Sequence, residues 1–414
     1  MQRAAAVWLA LLIGGCGTGV TENSTPAAAP GTSATAAGRC DTPTWVGGWA
    51  TSVQPAARTG QFNSGFTDQT LRMIVRPQAG GSALRLHFSN AYGEGDLTLQ
   101  SIHVGLRDTG ASIAGINHPV TFNGASSIVI PRAAKVVSDP VPLAVEGGQY
   151  LAISFHLPVA TGAPTAHYYG LTTSYVSEPG DHAADPSAST YATTTTAWFF
   201  IAGVDVLAPR ATGAVVTLGD SITDGTGAST DGEGRWPDTL AARLRAPAGG
   251  PRVSVLNHGI GGNQILLDIP GNAAMGESAL ARFDRDVLAQ TGVTDLVLLE
   301  GINDINLGQK TGEQVIAGIN QVVQRARARG LNVLVGTLTP NGEKPERDKV
   351  NEWIRTSGVP DGVIDFDAAV RDPANPNNWQ AGTDNGDNLH GNDTGYALMG
   401  NAVDLSLLKG LPCT

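Results

Sequence analysis

The chain has 414 residues, 41% of them hydrophobic and 15% charged, with a formal net charge of −11. That length and balance can bury a sizeable core and fill two domains. The acidic excess, with no Lys/Arg-rich stripe to offset it, excludes nucleic acid or an anionic membrane surface as the main partner, because both would repel the chain.

Met1-Gln2-Arg3 followed by the apolar run 4–13 is a short basic segment and an apolar core too short to span a bilayer, the pattern of an export signal. It closes on Ile13-Gly14-Gly15-Cys16, which resembles the bacterial lipobox and implies lipidation of Cys16 in residues 1–16. Cleavage further on, among the alanines after Pro26, is the alternative. Residues 17–39 are dominated by Ala, Gly, Ser, Thr and Pro without an apolar period and read as a flexible linker. Two cysteines remain, Cys40 and Cys413, near opposite ends of the region that folds. In an oxidising compartment they are expected to form one disulfide, with two unpaired thiols as the alternative.

From Trp45 to about Val206 the chain runs in short alternating segments. Leu84, Leu86 and Phe88 fall on one face and Arg85, His87 and Ser89 on the other, and Leu151, Ile153, Phe155 and Leu157 repeat the pattern. Such strands want a sheet with one solvated face, and breakers such as Pro77, Gly80-Gly81, Pro131 and Gly147-Gly148 keep them short. The expectation is an all-β, jelly-roll-like sandwich over residues 40–207. His87, His103, His118, His156 and His167 are scattered without metal-ligand spacing and read as ordinary sheet residues. Trp45, Trp49, Tyr168, Tyr169, Tyr175, Trp198 and Phe199 either line a sugar platform or pack the core. The segment Tyr191 to Phe200 is expected to abut the second domain, since it precedes the crossing.

Over residues 208–414 apolar strands alternate with amphipathic segments. The strand-like runs Ala214–Leu218, Val253–Leu256, Asp295–Leu299, Asn332–Val335 and Val363–Phe366 predict a doubly wound parallel sheet. Pro237 sits in the first turn of one helix. After Thr311 a second carries a Thr311/Gln314 capping box, an apolar stripe of Val315, Ile319, Val322 and Ala326, and a stop at Gly330.

Chemistry gathers where these strands end, as in open α/β sheets. Gly219-Asp220-Ser221 follows the first strand; Asn257-His258-Gly259-Ile260-Gly261-Gly262-Asn263, Glu300-Gly301-Ile302-Asn303-Asp304 and Asp387-Asn388-Leu389-His390 come later. Hydrolysing an ester through serine needs a nucleophile, a base, a group to orient the base, and donors for the oxyanion. Ser221 is assigned as nucleophile, His390 as the base that takes its proton, and Asp387 as the group that orients the imidazole.

These four blocks, in this order, resemble those of the SGNH, or GDSL, hydrolase family over about the carboxy-terminal half of the chain. The resemblance implies a three-layer α/β/α domain and an oxyanion hole made by the N–H groups of Ser221 and Gly262 and the side-chain amide of Asn303. Two positions depart from the family pattern, Gly391 where proline is usual and Gly261 where serine is common. The first is expected to loosen the histidine loop. No Gly-x-Ser-x-Gly, His-Glu-x-x-His or Cys/His cluster occurs, so neither an α/β-hydrolase elbow nor metal-assisted hydrolysis has support, and no cofactor or metal is expected. Arg235-Trp236-Pro237-Asp238, Phe283-Asp284-Arg285-Asp286-Val287-Leu288 and Asp365-Phe366-Asp367 further resemble an extracellular bacterial branch in which a β-domain precedes the hydrolase. That likeness implies an acetylxylan-esterase-like enzyme acting on small-molecule or polysaccharide esters, exported, and touching membrane only through a lipid on Cys16. A lipase or thioesterase of broader acyl range is the alternative of like chemistry; a non-catalytic cell-surface carbohydrate-binding protein is the alternative of another class.

Overall fold

The computed structural model describes residues 41–57, 60–246 and 251–411. The export signal, the linker and the cysteines Cys16, Cys40 and Cys413 lie outside the described residues.

The amino-terminal region is built of antiparallel sheets. One has four strands in the order Thr44–Ala50, Ile201–Ala208, Leu84–Ser89, Lys135–Val137, and a larger one has Gln69–Val75, Leu151–Leu157 and Leu97–Arg107 at its centre. Leu84, Leu86 and Phe88 point inward as the alternation requires. The Phe88 ring meets Phe155 from the opposite sheet edge-on at 5.2 Å, and the two inner faces share one core. The strand Leu151–Leu157 departs from expectation, being buried on both faces. Its outer face is covered by a second, smaller core of Ile74, Ala111, Ile113, Ala152, Tyr175 and Tyr191. Arg72, stacked 4.0 Å over Tyr191, fastens that cover by donating to Ser154 Oγ and to the carbonyls of Ala111 and Ser187.

The last antiparallel strand runs through Ala208, and the first parallel strand begins at Gly213. Five strands lie parallel in the order Val253–Gly259, Gly213–Gly219, Val293–Leu299, Asn332–Gly336, Gly362–Ile364. Sequence order reverses between Gly213–Gly219 and Val293–Leu299, which opens a crevice at their carboxyl ends. Ser221 follows the first of these strands and Asn303 the second. The helix Gly312–Arg327 forms as its sequence dictates, with the Thr311/Gln314 capping box closed, Val315, Ile319, Val322 and Ala326 fully buried, and Gly330 at φ +76° beyond its end. Only the fifth strand is shorter than expected. Asp365 accepts the Ala368 N–H and caps a helix, Phe366–Val370, in place of extending the sheet.

The two regions pack directly. The first strand meets the parallel sheet where Gly47 donates to the Thr291 carbonyl at 2.9 Å, and a Cβ on Gly47 would stand 2.8 Å from Leu256 Cδ1. Of the segment Tyr191 to Phe200, expected to make this contact, only Trp198 reaches the cavity between the regions, beside His167, Asp224 and Arg235. Phe199 and Phe200 turn into the β core against Phe66.

Candidate active site

The strand Gly213–Gly219 is buried throughout and ends where only glycine fits, since a Cβ on Gly219 would lie 2.2 Å from Thr223 Oγ1 and 2.5 Å from the Leu299 carbonyl. Asp220 then leaves the sheet, and its carboxylate accepts the Ile222 N–H at 2.9 Å, capping the single helical turn Ser221–Asp224. Ser221, 7% exposed, opens that turn, so its own N–H has no carbonyl one turn back to bond.

Ser221 Oγ lies 2.8 Å from His390 Nε2, and His390 Nδ1 lies 2.6 Å from Asp387 Oδ2. The other Asp387 oxygen accepts the N–H groups of Leu389 and His390, each at 2.8 Å. Burial pushes the Asp387 carboxyl up, but the His390 ring and those two N–H groups outweigh it and hold the group below its ordinary range. With a carboxylate at Nδ1, that nitrogen carries the proton and Nε2 is left to accept one from Ser221.

The close Asp-to-His spacing is made possible by Asn388, whose φ is +56°, a conformation asparagine tolerates better than most residues. Trp379 donates its N–H to Asn388 Oδ1 at 3.1 Å, and Asn341 donates to the Asn388 carbonyl at 3.2 Å. The expected loosening at Gly391 is not seen. A Cβ there would stand 3.0 Å from the Tyr396 ring and 3.3 Å from Trp379, so the missing side chain lets the histidine loop sit tightly on both rings.

The glycine block at residues 259–263 contains a four-residue turn closed by Asn263 N–H donating to the Ile260 carbonyl, and it is tied to the strand that leads to Ser221 by Ile260 N–H donating to the Gly219 carbonyl at 3.0 Å. Gly262 takes φ +76° with Met275 Sδ 2.8 Å from where a Cβ would be, so both backbone and space demand glycine. At Gly261 a Cβ would lie 3.6 Å from the Tyr169 ring, which places an aromatic from the β region at the edge of this loop. Asn303, 6% exposed, donates one amide hydrogen to the Asn263 carbonyl at 3.0 Å, which leaves the second hydrogen of the amide for a ligand.

Beneath these loops lies a network that the sequence did not disclose. Arg282, fully buried, donates to the carbonyls of Gly219 and His258, to Asn263 Oδ1, to Ser52 Oγ and to Asp286 Oδ2. It thereby ties the ends of two neighbouring strands, and the loop after the second, to one side chain from the β region. The only signal was a lone arginine in the apolar run Ala279-Leu280-Ala281-Arg282-Phe283. Here Ser52, His258 and Asp286 form a second serine, histidine and aspartate constellation. Ser52 Oγ is 3.0 Å from His258 Nδ1 and donates to Asp286 Oδ2 at 2.8 Å. Burial lowers the imidazole of His258 to about 4, so it is neutral near pH 7. In this group the serine sits between its partners and its oxygen already accepts from Arg282 and His258, which uses both lone pairs; a nucleophile needs one free and the histidine in the middle. All three residues are at most 2% exposed.

Three carboxyls crowd the same region. Burial raises Asp220 to about 7 and Asp304 to about 6, and Glu300, with neither oxygen hydrogen-bonded, is raised well above its ordinary value by burial and then by Asp220. A carboxyl whose folded pKa exceeds its unfolded one contributes stability that is complete below the unfolded value, near 4, and is lost as pH rises through the folded value. Wild type should therefore lose stability between about pH 5 and pH 8 more steeply than Glu300→Gln, by no more than about 1.4 kcal/mol per pH unit for this group. Urea unfolding across that range checks it; parallel curves for the two proteins would mean that Glu300 is ionised in the fold.

Among the described residues no group of three or more His, Cys, Asp or Glu side chains is placed to hold a metal ion. Of the residues named from sequence, Ser221, Asp387 and His390 meet in one hydrogen-bonded chain, and Gly262 and Asn303 flank one loop beside it. His167 lies in a strand, Ala166–His167, as expected, and from there it is hydrogen-bonded to Asp224 at 3.0 Å. Of the candidate platform aromatics, Trp49, Tyr175, Trp198 and Phe199 are core residues, while Tyr169 is 45% exposed.

The model of the GDSL-like lipase/acylhydrolase family matches residues 217–398, the stretch that holds all four blocks. No curated protein matches the chain. Among solved structures, a protein assigned to the G-D-S-L lipolytic family of Desulfitobacterium hafniense DCB-2 is 22% identical, with 46% of this chain and 96% of that one covered and a TM-score of 0.37. Est24, a carbohydrate acetylesterase from Sinorhizobium meliloti, is 17% identical over 46% of this chain and 95% of its own, with a TM-score of 0.36. The acetyl xylan esterase AlAXEase is 21% identical over 46% and 96%, with a TM-score of 0.35.

Proposed function

Starting from a carboxy-terminal half that is a GDSL-like (SGNH) carboxylic ester hydrolase domain, we propose that the chain is a serine esterase that removes short acyl groups, acetyl foremost, from carbohydrate. The observation that carries the chemistry is the unbroken hydrogen-bond chain Ser221–His390–Asp387. Ser221 Oγ attacks the acyl carbon as its proton passes to His390 Nε2, and the imidazolium is stabilised by Asp387. The oxyanion is received by the N–H groups of Ser221 and Gly262 and by Asn303 Nδ2. Collapse of the tetrahedral species breaks the bond to the leaving alcohol, which takes the proton from His390. Water, activated by the same imidazole, then frees the acid and restores Ser221.

The short-acyl part of the proposal is supported by Met275, which fills the space beside Gly262. The carbohydrate part is supported by the exposed Tyr169 ring at the oxyanion loop, a flat face suited to a pyranose. We also read residues 1–16 as an export signal ending in a lipidation cysteine, which would place the esterase at the cell envelope.

A series of p-nitrophenyl esters of rising chain length, run beside acetylated xylan, tests the proposal. The expected result is the highest kcat/KM on the acetyl ester and acetate release from the polysaccharide. A preference for long chains would make it a lipase, and tight glycan binding without turnover would make it a binding protein.

A further inference from the structure

Asp224 closes the helical turn that Ser221 opens, and its two carboxylate oxygens face different parts of the molecule. Oδ2 accepts the Gly261 N–H of the oxyanion loop at 3.0 Å, and Oδ1 lies 3.0 Å from Nε2 of His167, which belongs to the β region. Both residues are at most 3% exposed. The other imidazole nitrogen, Nδ1, lies 2.8 Å from the Ser52 carbonyl. A carbonyl oxygen only accepts, so Nδ1 carries a hydrogen, and the hydrogen bond to Asp224 contains a second proton held between Nε2 and Oδ1.

The imidazole cannot swing away. It stacks on Trp198 with centroids 5.6 Å apart and planes at 25°, and Trp198 is itself held by its indole N–H on the Ile74 carbonyl and by the edge of Trp49. The segment that follows is bolted down as well. Arg235 donates to the carbonyls of Tyr169 and Gly170 and, through Nε, to the carbonyl of Asp224 at 2.7 Å. The β region therefore grips directly the side chain of the residue that anchors the oxyanion loop, and grips its backbone through Arg235 of the second region.

We infer that His167 is a positioning residue for ester hydrolysis, holding Asp224 so that Asp224 holds the Gly261 N–H and with it the direction of the next amide, that of Gly262. This rests on the oxyanion role proposed for Gly262. It gives the β region a part in catalysis: the loop that receives the negative charge is referenced to a residue from outside the hydrolase fold. Fixed donors stabilise an oxyanion only while they point at it, and a displacement of about 1 Å can cost about a hundredfold in rate.

The test compares His167→Leu, His167→Gln and Asp224→Asn in the full chain, with active sites counted by a p-nitrophenyl phosphonate that labels Ser221. His167→Leu should lower kcat for p-nitrophenyl acetate by about 10- to 100-fold per titrated site with KM nearly unchanged. The rate of phosphonylation, which also builds an oxyanion, should fall in parallel. His167→Gln, which keeps a donor for Asp224, should recover part of the loss, and the effects of His167→Leu and Asp224→Asn should not add. A merely structural histidine would reduce the number of titrated sites and leave kcat per site as in wild type, and that result, or additive effects, would overturn the inference. Failure of the phosphonate to label wild type would instead overturn the esterase reading on which it stands.

Discussion

Replacing Ser221 with alanine should lower kcat for ester hydrolysis by about 10⁴- to 10⁶-fold, the scale on which serine hydrolases lose activity when the nucleophile is removed. The substitution deletes one oxygen that has His390 as its hydrogen-bond partner. Alanine is at ease in the first position of a helical turn, and the cap provided by Asp220 is untouched. Stability should therefore change by less than about 1 kcal/mol, and a thermal melt beside the kinetic assay separates the two effects. The control is the other serine that meets a histidine and an aspartate. Ser52→Ala removes a fully buried hydroxyl that joins Arg282, His258 and Asp286, so it should destabilise the fold by about 1–3 kcal/mol and leave the folded protein active. If Ser52→Ala abolished turnover in a folded protein while Ser221→Ala did not, the chemistry would belong to the buried constellation.

What could be read from the sequence follows from how local each cause is. The helix Gly312–Arg327 was legible to its capping box and its stop because cap, stripe and terminating glycine all act within a few residues. The parallel strands were legible as apolar runs, but the end of the fifth was not, because whether Asp365 continues a strand or caps a helix depends on its neighbours in space. In the β region, alternation gave the inward face of Leu84, Leu86 and Phe88. It could not reveal that Ser154 and His156 are buried too, since the cover over that face comes from loops distant in sequence. That Ser221, His390 and Asp387 would be brought together was legible because each block carries its own residue types at fixed spacing. The groups that hold those blocks together, Arg282, Asp224, His167 and Ser52, were not. Each reaches partners 19 to 234 residues away in the chain, and nothing in a local pattern distinguishes an arginine bound to two strand ends from one on a solvated helix.

Replacing Asn303 with alanine should lower kcat by about 10²- to 10³-fold, or about 2.7–4 kcal/mol of transition-state stabilisation, the range expected for one oxyanion donor. The amide does two things. One hydrogen holds the Asn263 carbonyl at 3.0 Å, keeping the glycine loop in place, and the other is available to the developing charge. The neighbouring Asp304 repeats the first of these tasks by accepting the N–H groups of Ile265 and Leu266, so the loop keeps an anchor when Asn303 is lost and the rate should report mainly the missing donor. An interaction made only in the transition state lowers kcat and kcat/KM together and leaves KM near its wild-type value. Asn303→Asp should be slower still, because a carboxylate of the same shape offers no hydrogen and repels both the Asn263 carbonyl and the oxyanion. A loss confined to KM, or an aspartate variant as active as wild type, would remove Asn303 from the oxyanion hole and leave it as a brace for the loop.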